Sequence, residues 1–321
     1  MAVYTKLNNH DLNAILANYN LTKLISASEI NAGVENTNYL LTTKTAKYVL
    51  TIFEKRVNCQ DLPFFINLMN FLATNSFPAP QILTQNNSYI FNHNHKNGII
   101  ITFLPGNIAD KITLNKEILF NLGQKLAELH ILTTKFPEKR ASDFTPNKVI
   151  KLFTSIKEKN LLDPQEITLI ANIIDNFSAI DLTKLSQTII HADLFPDNVF
   201  LNNNTICGVI DFYFSCYDHL NYDLATTINA WCFDQNINLN QDLLINFLQG
   251  YNLTHKLKLI DKKYLLDFCL FTAVRFFLTR LYDKFHQPKD ANITAKIPEE
   301  FLKRIYFWHN FKDFDKILNN I

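Results

Sequence analysis

Cysteine is scarce in this sequence and is not spaced for pairing. The 321 residues include five cysteines, an odd number, and no two of them form a Cys-x-x-Cys pair. Disulfide-stapled domains need several paired cysteines, and structural zinc sites show close Cys or His spacings. We therefore expect reduced thiols in a cytoplasmic protein, without a disulfide framework or a zinc cluster.

An excess of charge is also missing. Thirty-one lysines and arginines are balanced by thirty aspartates and glutamates, which leaves a formal net charge of +1. Sequence-independent binding of nucleic acid requires a broad positive surface, because the protein has to neutralise many phosphates. The balance of charge argues against nucleic acid and favours a small molecule as the partner.

Long apolar runs are absent as well. A bilayer-spanning helix needs about 20 consecutive, mostly apolar residues, whereas the apolar stretch at 268–278 is interrupted by Thr272 and Arg275. The segment 1–6 has no charged head followed by an apolar run, so we expect no targeting signal. Contact with a membrane is not predicted.

Apolar residues make up 47% of the chain, which is enough for a large core and for two lobes. In the first hundred residues, strand-like runs at 37–42 and 48–53 alternate with helical patterns such as 61–73. After Leu104, long helical patterns such as 264–284 dominate. The pattern predicts an α+β fold with two domains. The N-terminal lobe, residues 1–104, has an antiparallel β-sheet plus helices, and the C-terminal lobe, residues 105–321, is mainly helical.

The most polar motifs of the chain flank one short β insert. Residues 191–198 read His-Ala-Asp-Leu-Phe-Pro-Asp-Asn, which has the spacing of a kinase catalytic loop, His-x-Asp-Leu-x-x-x-Asn. Thirteen residues past Asn198, Asp211 lies at the end of a predicted strand. Phosphoryl transfer needs one carboxylate near the acceptor hydroxyl and oxygen ligands for Mg²⁺. Asp193 fits the first role, and Asn198 and Asp211 fit the second.

A predicted hairpin explains this spacing. Two short antiparallel strands return the chain, so that Asn198 and Asp211 lie at its two open ends. His191 follows an apolar segment, and we expect it to be a buried, hydrogen-bonded support of the loop rather than an acid or a base. Asp197 has three open roles: a third metal ligand, a substrate contact or a cap.

These motifs resemble those of the aminoglycoside phosphotransferase and choline kinase superfamily, which has a bilobal protein-kinase-like fold. Longer segments are similar to the bacterial homoserine kinases of that superfamily. They lie at residues 33–41, 48–57, 191–200, 211–218, 229–233 and 275–283. The resemblance implies an enzyme that uses ATP and Mg²⁺ to phosphorylate the γ-hydroxyl of L-homoserine. The product, O-phospho-L-homoserine, leads toward threonine, and the enzyme would be a cytoplasmic monomer or homodimer.

The implied acceptor decides what the rest of the site must contain. Homoserine carries a carboxylate, an ammonium and a primary alcohol, so a fixed cation is needed. Arg275 and Arg280 are the candidates, because they lie in an apolar helical stretch and an unpaired buried arginine is costly. Structural ion pairs are the alternative for both. Tyr213 and Trp231 are candidate walls of the substrate pocket, with a place in the core as the alternative. Asp223 is expected to brace the catalytic loop.

The nucleotide side gives a weaker signal. The turn that contains Asn36 precedes a strand and is a candidate cover for the phosphates, yet it lacks the Gly-x-Gly-x-x-Gly pattern. The resemblance puts Thr51 where many relatives carry a phosphate-binding Lys or Arg, and Lys55 is the candidate replacement. The hinge at 101–106, which includes Phe103, is expected to bind adenine through main-chain groups.

Three other functions stay open at this point. Another small alcohol, such as choline, methylthioribose or an aminosugar, would use the same catalytic residues. A metal-dependent hydrolase would lack the tight His-x-x-x-His spacing that makes such a site persuasive. Its ligands would be His191, Asp193, Asp197 and His219. A non-catalytic nucleotide-binding module is disfavoured because all three motif residues of phosphoryl transfer are intact.

Overall fold

The structure is a computed structural model, and it describes residues 4–19, 21–30, 36–54, 57–286, 296–319 and 321. The chain divides into two compact units. The first contains the residues up to Gly106 together with Cys207–Tyr213, and the second contains Asn107–Ile206 and the described residues from Phe214 onward. The segment 207–213 joins the first unit because Val209 N–H donates a hydrogen bond to the Pro78 carbonyl oxygen at 2.8 Å. The predicted N-terminal lobe, which ends at residue 104, does not include the segment 207–213.

The first unit is built on a five-stranded antiparallel sheet. Its elements are α1 (Asn9–Leu16), β1 (Leu24–Ile30), β2 (Thr37–Thr43), β3 (Lys47–Ile52), α2 (Leu62–Thr74), β4 (Phe91–His93) and β5 (Lys96–Thr102). The strand order is β1-β2-β3-β5-β4, and each pairing is antiparallel. β3 is the central strand, with Thr51 opposite Asn38 on β2 and opposite Ile99 on β5.

Alternating apolar residues fix one face of this sheet. Leu41 on β2 and Leu50 and Ile52 on β3 are fully buried. They belong to one cluster with Leu12 and Ile15, which are three residues apart on α1 and therefore lie on the same face of that helix. Because this face is buried, the register in which β2 pairs with β3 is fixed.

The second unit is mainly helical and contains short strands. Its elements are β6 (Asn107–Ile108), α3 (Lys116–Thr133), α4 (Pro146–Glu158), α5 (Pro164–Ser178), β7 (Gln187–Ile190), β8 (Val199–Asn202), the start of β9 (Thr205–Val209), β10 (Cys216–His219), α6 (Leu220–Trp231), α7 (Gln241–Thr254), α8 (Leu259–Lys263), α9 (Leu265–His286), α10 (Glu299–Asn310) and α11 (Phe314–Leu318). The last three residues of β9 belong to the segment counted with the first unit. β10 pairs antiparallel with β7, and a three-stranded sheet has the order β6-β8-β9. The predicted α+β class is confirmed, as is the β insert after the catalytic loop.

The cysteines and the helices bear on two earlier expectations. All five cysteines lie in the described part of the chain, and none of them forms a disulfide. Cys216, Cys232 and Cys269 are buried. Among the described helices, none combines the length and the apolar character needed to cross a membrane.

Two of the six glycines allow helices α3 and α7 to pack with their backbones in contact. A Cβ atom on Gly123 would lie 2.0 Å from the carbonyl oxygen of Phe247, and one on Gly250 would lie 2.0 Å from that of Phe120. No larger residue fits at such a distance without a shift of one helix. The close approach sets the positions of the side chains that follow on both helices.

Gly123→Ala is expected to destabilise the protein, because the added methyl group would overlap a backbone carbonyl that cannot rotate away. Overpacking typically costs about 1–3 kcal/mol and more where backbone must shift, so we expect a loss of about 3 kcal/mol in the free energy of unfolding, measured by urea denaturation. Gln249→Ala, at an exposed position of α7, is the control and should change stability by less than about 0.5 kcal/mol. Wild-type stability in Gly123→Ala would contradict the close contact.

Candidate active site

The catalytic loop connects β7 to β8. His191, directly after β7, is fully buried, and its Nδ1 accepts a hydrogen bond from the N–H of Asp193 at 3.2 Å. Ala192 between them has a φ of 68°, in the left-handed region that non-glycine residues seldom adopt. This conformation is strained and must be held by the surroundings. The contacts of His191 fit the supporting role expected for it.

The carboxylate of Asp223, in the first turn of α6, holds the loop in this conformation. It accepts hydrogen bonds from the backbone N–H of His191 at 2.7 Å and of Ala192 at 2.8 Å. His130 of α3 donates to it at 3.1 Å, and the other ring nitrogen of His130 lies 2.7 Å from the Tyr251 hydroxyl on α7. Burial would raise the pKa of Asp223, but the hydrogen bond and charge of His130 hold it below its ordinary value. The brace therefore stays ionised.

Asn198 is tied to Asp193 within the loop. Its side-chain nitrogen donates to the Asp193 main-chain oxygen at 2.8 Å and lies 3.4 Å from Oδ2 of the same residue. Because the nitrogen is used in this way, the amide oxygen is the atom suited to a hard cation. Trp231 contacts the loop from the core: it is 1% exposed, and its indole N–H donates to the Leu194 carbonyl oxygen at 2.8 Å.

Arg275 of α9 is the charged group that acts most strongly on Asp193. Burial raises the pKa of the Asp193 carboxyl, and the positive charge of Arg275 opposes this rise. The Arg275 guanidinium carbon lies 3.9 Å from the ring centre of Phe144 and 4.0 Å from that of Phe276. Aromatic faces attract a cation, so the two rings fix its position.

The two predicted arginines have different surroundings. Arg280 donates to the Glu300 carboxylate at 2.9 Å and packs over the ring of Phe301. Arg275 is 5% exposed, and in the described part of the chain its Nε–H has no hydrogen-bond acceptor. A buried donor without a partner is rare in native proteins. Arg275 is therefore better suited than Arg280 to bind an anionic ligand.

Lys296 is a further cation beside the loop that no motif spacing indicated. Its Nζ lies 3.2 Å from Asp197 Oδ2 and 5.1 Å from the ring centre of Phe195. The structure thus gives Asp197 an ion pair, which was not among the three roles considered for it. Lys296 comes from a segment almost a hundred residues further along the chain, so only the three-dimensional structure associates it with the loop.

In the first unit, neutral groups occupy the position expected for a phosphate-binding cation. The Thr51 hydroxyl donates to Asn38 Oδ1 at 2.7 Å. The Tyr213 hydroxyl is hydrogen-bonded to Thr51, and the Tyr213 ring lies edge-on to Phe53 and Phe65 at centroid distances of 5.2 and 5.9 Å. Tyr213, a candidate for the substrate pocket, makes these contacts within the first unit. A hydrogen-bonded network stands where relatives were expected to have Lys or Arg.

The other candidates for nucleotide binding lie in the same unit. Asn36 is 8% exposed, and its Oδ1 has no hydrogen-bond partner within the described residues. Phe103, directly after β5, is 40% exposed and can offer its ring to a planar ligand. Asp211 has a φ of 66°, which, like that of Ala192, lies in the left-handed region. Lys55 lies outside the described residues.

The surroundings of His219 do not support a hydrolytic metal centre. Its Nδ1 lies 2.8 Å from Asp218 Oδ1, and its Nε2 lies 2.9 Å from the Gln187 side-chain nitrogen and 3.1 Å from the Leu182 carbonyl oxygen. Both ring nitrogens are engaged within the protein. In the described ranges, no group of three or more His, Cys, Asp or Glu side chains is arranged to hold a metal ion.

The loop spacing and the carboxylate that braces the loop are typical of an enzyme that transfers a phosphoryl group to a small molecule. The sequence profile of the phosphotransferase enzyme family matches residues 26–258. Among solved structures, an amicoumacin kinase in complex with AMP-PNP and Ca²⁺ has a TM-score of 0.72 at 14% identity, covering 97% of this chain and 94% of its own. A spectinomycin phosphotransferase in complex with ADP and spectinomycin has a TM-score of 0.66 at 15% identity, covering 99% and 100%. These two similarities concern the fold.

Curated relatives narrow the family. Homoserine kinase of Gluconobacter oxydans is 37% identical over 309 residues, which cover 95% of this chain and 97% of the relative. The corresponding protein of Brucella melitensis is 36% identical over 311 residues, 96% and 94% of the two chains. That of Xanthobacter autotrophicus is 37% identical over 309 residues, 96% of both. The chain belongs to the homoserine kinase family of these phosphotransferases, as the sequence resemblance predicted.

Asp223→Asn is expected to loosen the catalytic loop, because one amide oxygen replaces a carboxylate that accepts from two N–H groups and a histidine. Hydrogen bonds to charged groups contribute about 1.5–3 kcal/mol, so the free energy of unfolding should fall by about this amount and kcat should fall with it. Urea denaturation and steady-state kinetics measure both. Asp242→Asn, which changes an exposed carboxylate on α7, is the control. Unchanged kcat in Asp223→Asn would contradict the bracing role.

The same carboxylate predicts a pH dependence of stability. Because the folded-state pKa of Asp223 lies below its ordinary value, its contribution is fully present above about pH 4, the pKa of an unfolded aspartate. It is lost as the pH falls through the lower, folded-state pKa. The stability difference between the wild type and Asp223→Asn should therefore shrink in acid, and a difference that grows would contradict the direction of the shift.

Proposed function

We propose that the chain is a homoserine kinase: it transfers the γ-phosphoryl group of ATP to the γ-hydroxyl of L-homoserine and releases ADP and O-phospho-L-homoserine. The observation that carries the proposal is a buried Arg275 that packs on an aromatic ring and whose charge lowers the pKa of Asp193 in the phosphotransferase loop, against the effect of burial. The curated relatives, named as homoserine kinases, support the same acceptor. The product leads toward threonine, and thiols without disulfides suit the cytoplasm.

Asp193 receives the acceptor hydroxyl. Its carboxylate orients the γ-oxygen of homoserine for attack on the γ-phosphorus and accepts the hydroxyl proton. The new P–O bond forms as the bond to the oxygen that bridges the β- and γ-phosphorus atoms breaks, and that oxygen leaves with ADP. Transfer of this kind depends on positioning and charge stabilisation more than on covalent chemistry. The support by His191 and the brace of Asp223 serve the positioning.

Asn198 and Asp211 take the role of magnesium ligands. Both offer oxygen, the donor that Mg²⁺ prefers, and the Asn198 nitrogen is already bound inside the loop. A bound Mg²⁺ would neutralise charge on the nucleotide phosphates. Asn36 and Phe103 are assigned to the nucleotide, Asn36 to the phosphate side and the exposed ring of Phe103 to the adenine side.

A panel of acceptors tests the substrate. We expect coupled ATP consumption with L-homoserine to exceed that with choline, methylthioribose or an aminosugar by at least about a hundredfold in kcat/KM, because a site built around a charged partner rejects ligands that lack it. Product identity is checked by mass spectrometry. Turnover of another acceptor without turnover of L-homoserine would refute the assignment.

Asp193→Asn tests the catalytic loop. The amide cannot accept the hydroxyl proton, so kcat should fall by about 10²–10⁴-fold, the usual contribution of a positioned base. Binding of Mg-ATP, measured by calorimetry without acceptor, should stay near that of the wild type. Near-normal kcat would remove Asp193 from the mechanism.

Asp211→Ala separates metal binding from proton transfer. Loss of one ligand should weaken Mg-ATP binding by at least about tenfold, the scale seen when metal sites lose supporting groups. Calorimetry with ATP and EDTA in place of Mg-ATP is the control and should show little difference between variant and wild type. Equal affinity for Mg-ATP in the two proteins would contradict the role of Asp211.

A further inference from the structure

Six buried side-chain polar atoms of the second unit have no hydrogen-bond partner among the described residues, and two of them belong to side chains that contact the same aromatic ring. One is the hydroxyl oxygen of Tyr222 on α6, and the other is Nε of Arg275 on α9. The two residues are 1% and 5% exposed. Buried polar groups in native proteins nearly always have partners, and each exception needs an explanation. A ligand that supplies the missing acceptor is one such explanation.

The Tyr222 and Arg275 side chains both contact the Phe144 ring. The Tyr222 ring stacks on Phe144 with a centroid distance of 5.4 Å and an interplanar angle of 15°. The Arg275 guanidinium lies 3.9 Å from the centre of the same Phe144 ring. Both side chains therefore border one aromatic wall and are fixed by it.

The charges around Tyr222 define the kind of ligand. Burial raises the pKa of the Tyr222 hydroxyl; among charged residues Arg275 acts on it most strongly and lowers it, whereas Asp218 and Asp193 raise it. The hydroxyl thus stays protonated and is able to donate. Two donors beside a positive charge attract an anion with two acceptor atoms and repel an ammonium.

We propose that Tyr222 and Arg275 form a two-donor clamp for the α-carboxylate of the acceptor, with Tyr222 Oη–H donating to one oxygen and Arg275 Nε–H to the other. This inference rests on the proposed function, because it assigns the acceptor to the class of amino acids that carry an alcohol. Tyr222 is thereby a specificity-determining residue. An amino alcohol without a carboxylate leaves both donors unpaired, and a site of this kind discriminates strongly against such a ligand.

Tyr222→Phe tests the clamp, because it removes the unpartnered oxygen and keeps the ring on Phe144. We expect the KM for L-homoserine to rise about 10- to 100-fold, the range for loss of a hydrogen bond to a charged group. Calorimetric binding of L-homoserine should weaken by the same factor. The KM for ATP and the urea midpoint should stay near those of the wild type, since the hydroxyl has no partner within the described chain.

A second acceptor and a control variant distinguish a loss of carboxylate binding from a general structural effect. The substrate 3-amino-1-propanol is homoserine without its carboxylate, and its kcat/KM should be equal in the wild type and in Tyr222→Phe. Tyr19→Phe is the control variant: it removes another buried tyrosine hydroxyl without a partner in the described residues, in the first unit, and should leave all values unchanged.

The possible outcomes distinguish failure of the clamp from failure of the proposed function. Wild-type turnover of L-homoserine with unchanged homoserine binding in Tyr222→Phe overturns the clamp and leaves the proposed function standing. Equal losses with L-homoserine and 3-amino-1-propanol also overturn the clamp, because they indicate a structural effect. Failure of the wild type to phosphorylate L-homoserine overturns both.

Discussion

A single buried carboxylate holds the catalytic part of the second unit together. Asp223 accepts hydrogen bonds from the backbone of the loop and from His130, so α3, α6 and the end of β7 meet at one charge. Such a charge is costly to bury unless it is fully hydrogen-bonded. The glycine contacts let α3 and α7 approach closely, and His130 is also held by Tyr251 of α7. The left-handed conformation of Ala192 persists because this network holds it.

Local sequence was sufficient to predict those elements whose residues are neighbours along the chain. The catalytic loop was predicted from its spacing, and the helices predicted at 61–73 and 264–284 appear as α2 and α9 with ends shifted by one or two residues. Strand β1 was missed because none of its residues is buried, so an edge strand of this kind carries no alternating apolar pattern. Helices α8 and α11 are only five residues long, too short for a helical period to be visible.

The surroundings of the loop were less predictable, because they come from distant segments. Phe144, Tyr222 and Lys296 belong to three parts of the sequence and share no spacing with the His-x-Asp motif. Arg275 was a candidate because of its apolar neighbours, but the sequence does not show that Arg280 is paired with Glu300 while the buried Arg275 Nε–H has no acceptor among the described residues. The groups around Thr51, which include Asn38 and Tyr213, could not be predicted either. The sequence shows that the expected cation is missing, but it does not show which groups take its place.

The position of Arg275 between two aromatic rings has a consequence for the size of the acceptor. A guanidinium on a free side chain could follow ligands of different length, whereas one held between Phe144 and Phe276 cannot. In the proposed function the acceptor carboxylate binds at Arg275 and the reacting oxygen at Asp193, so the separation of the two groups would act as a gauge of chain length. An acceptor with one methylene fewer, such as serine, would satisfy one end of the gauge and fall short of the other.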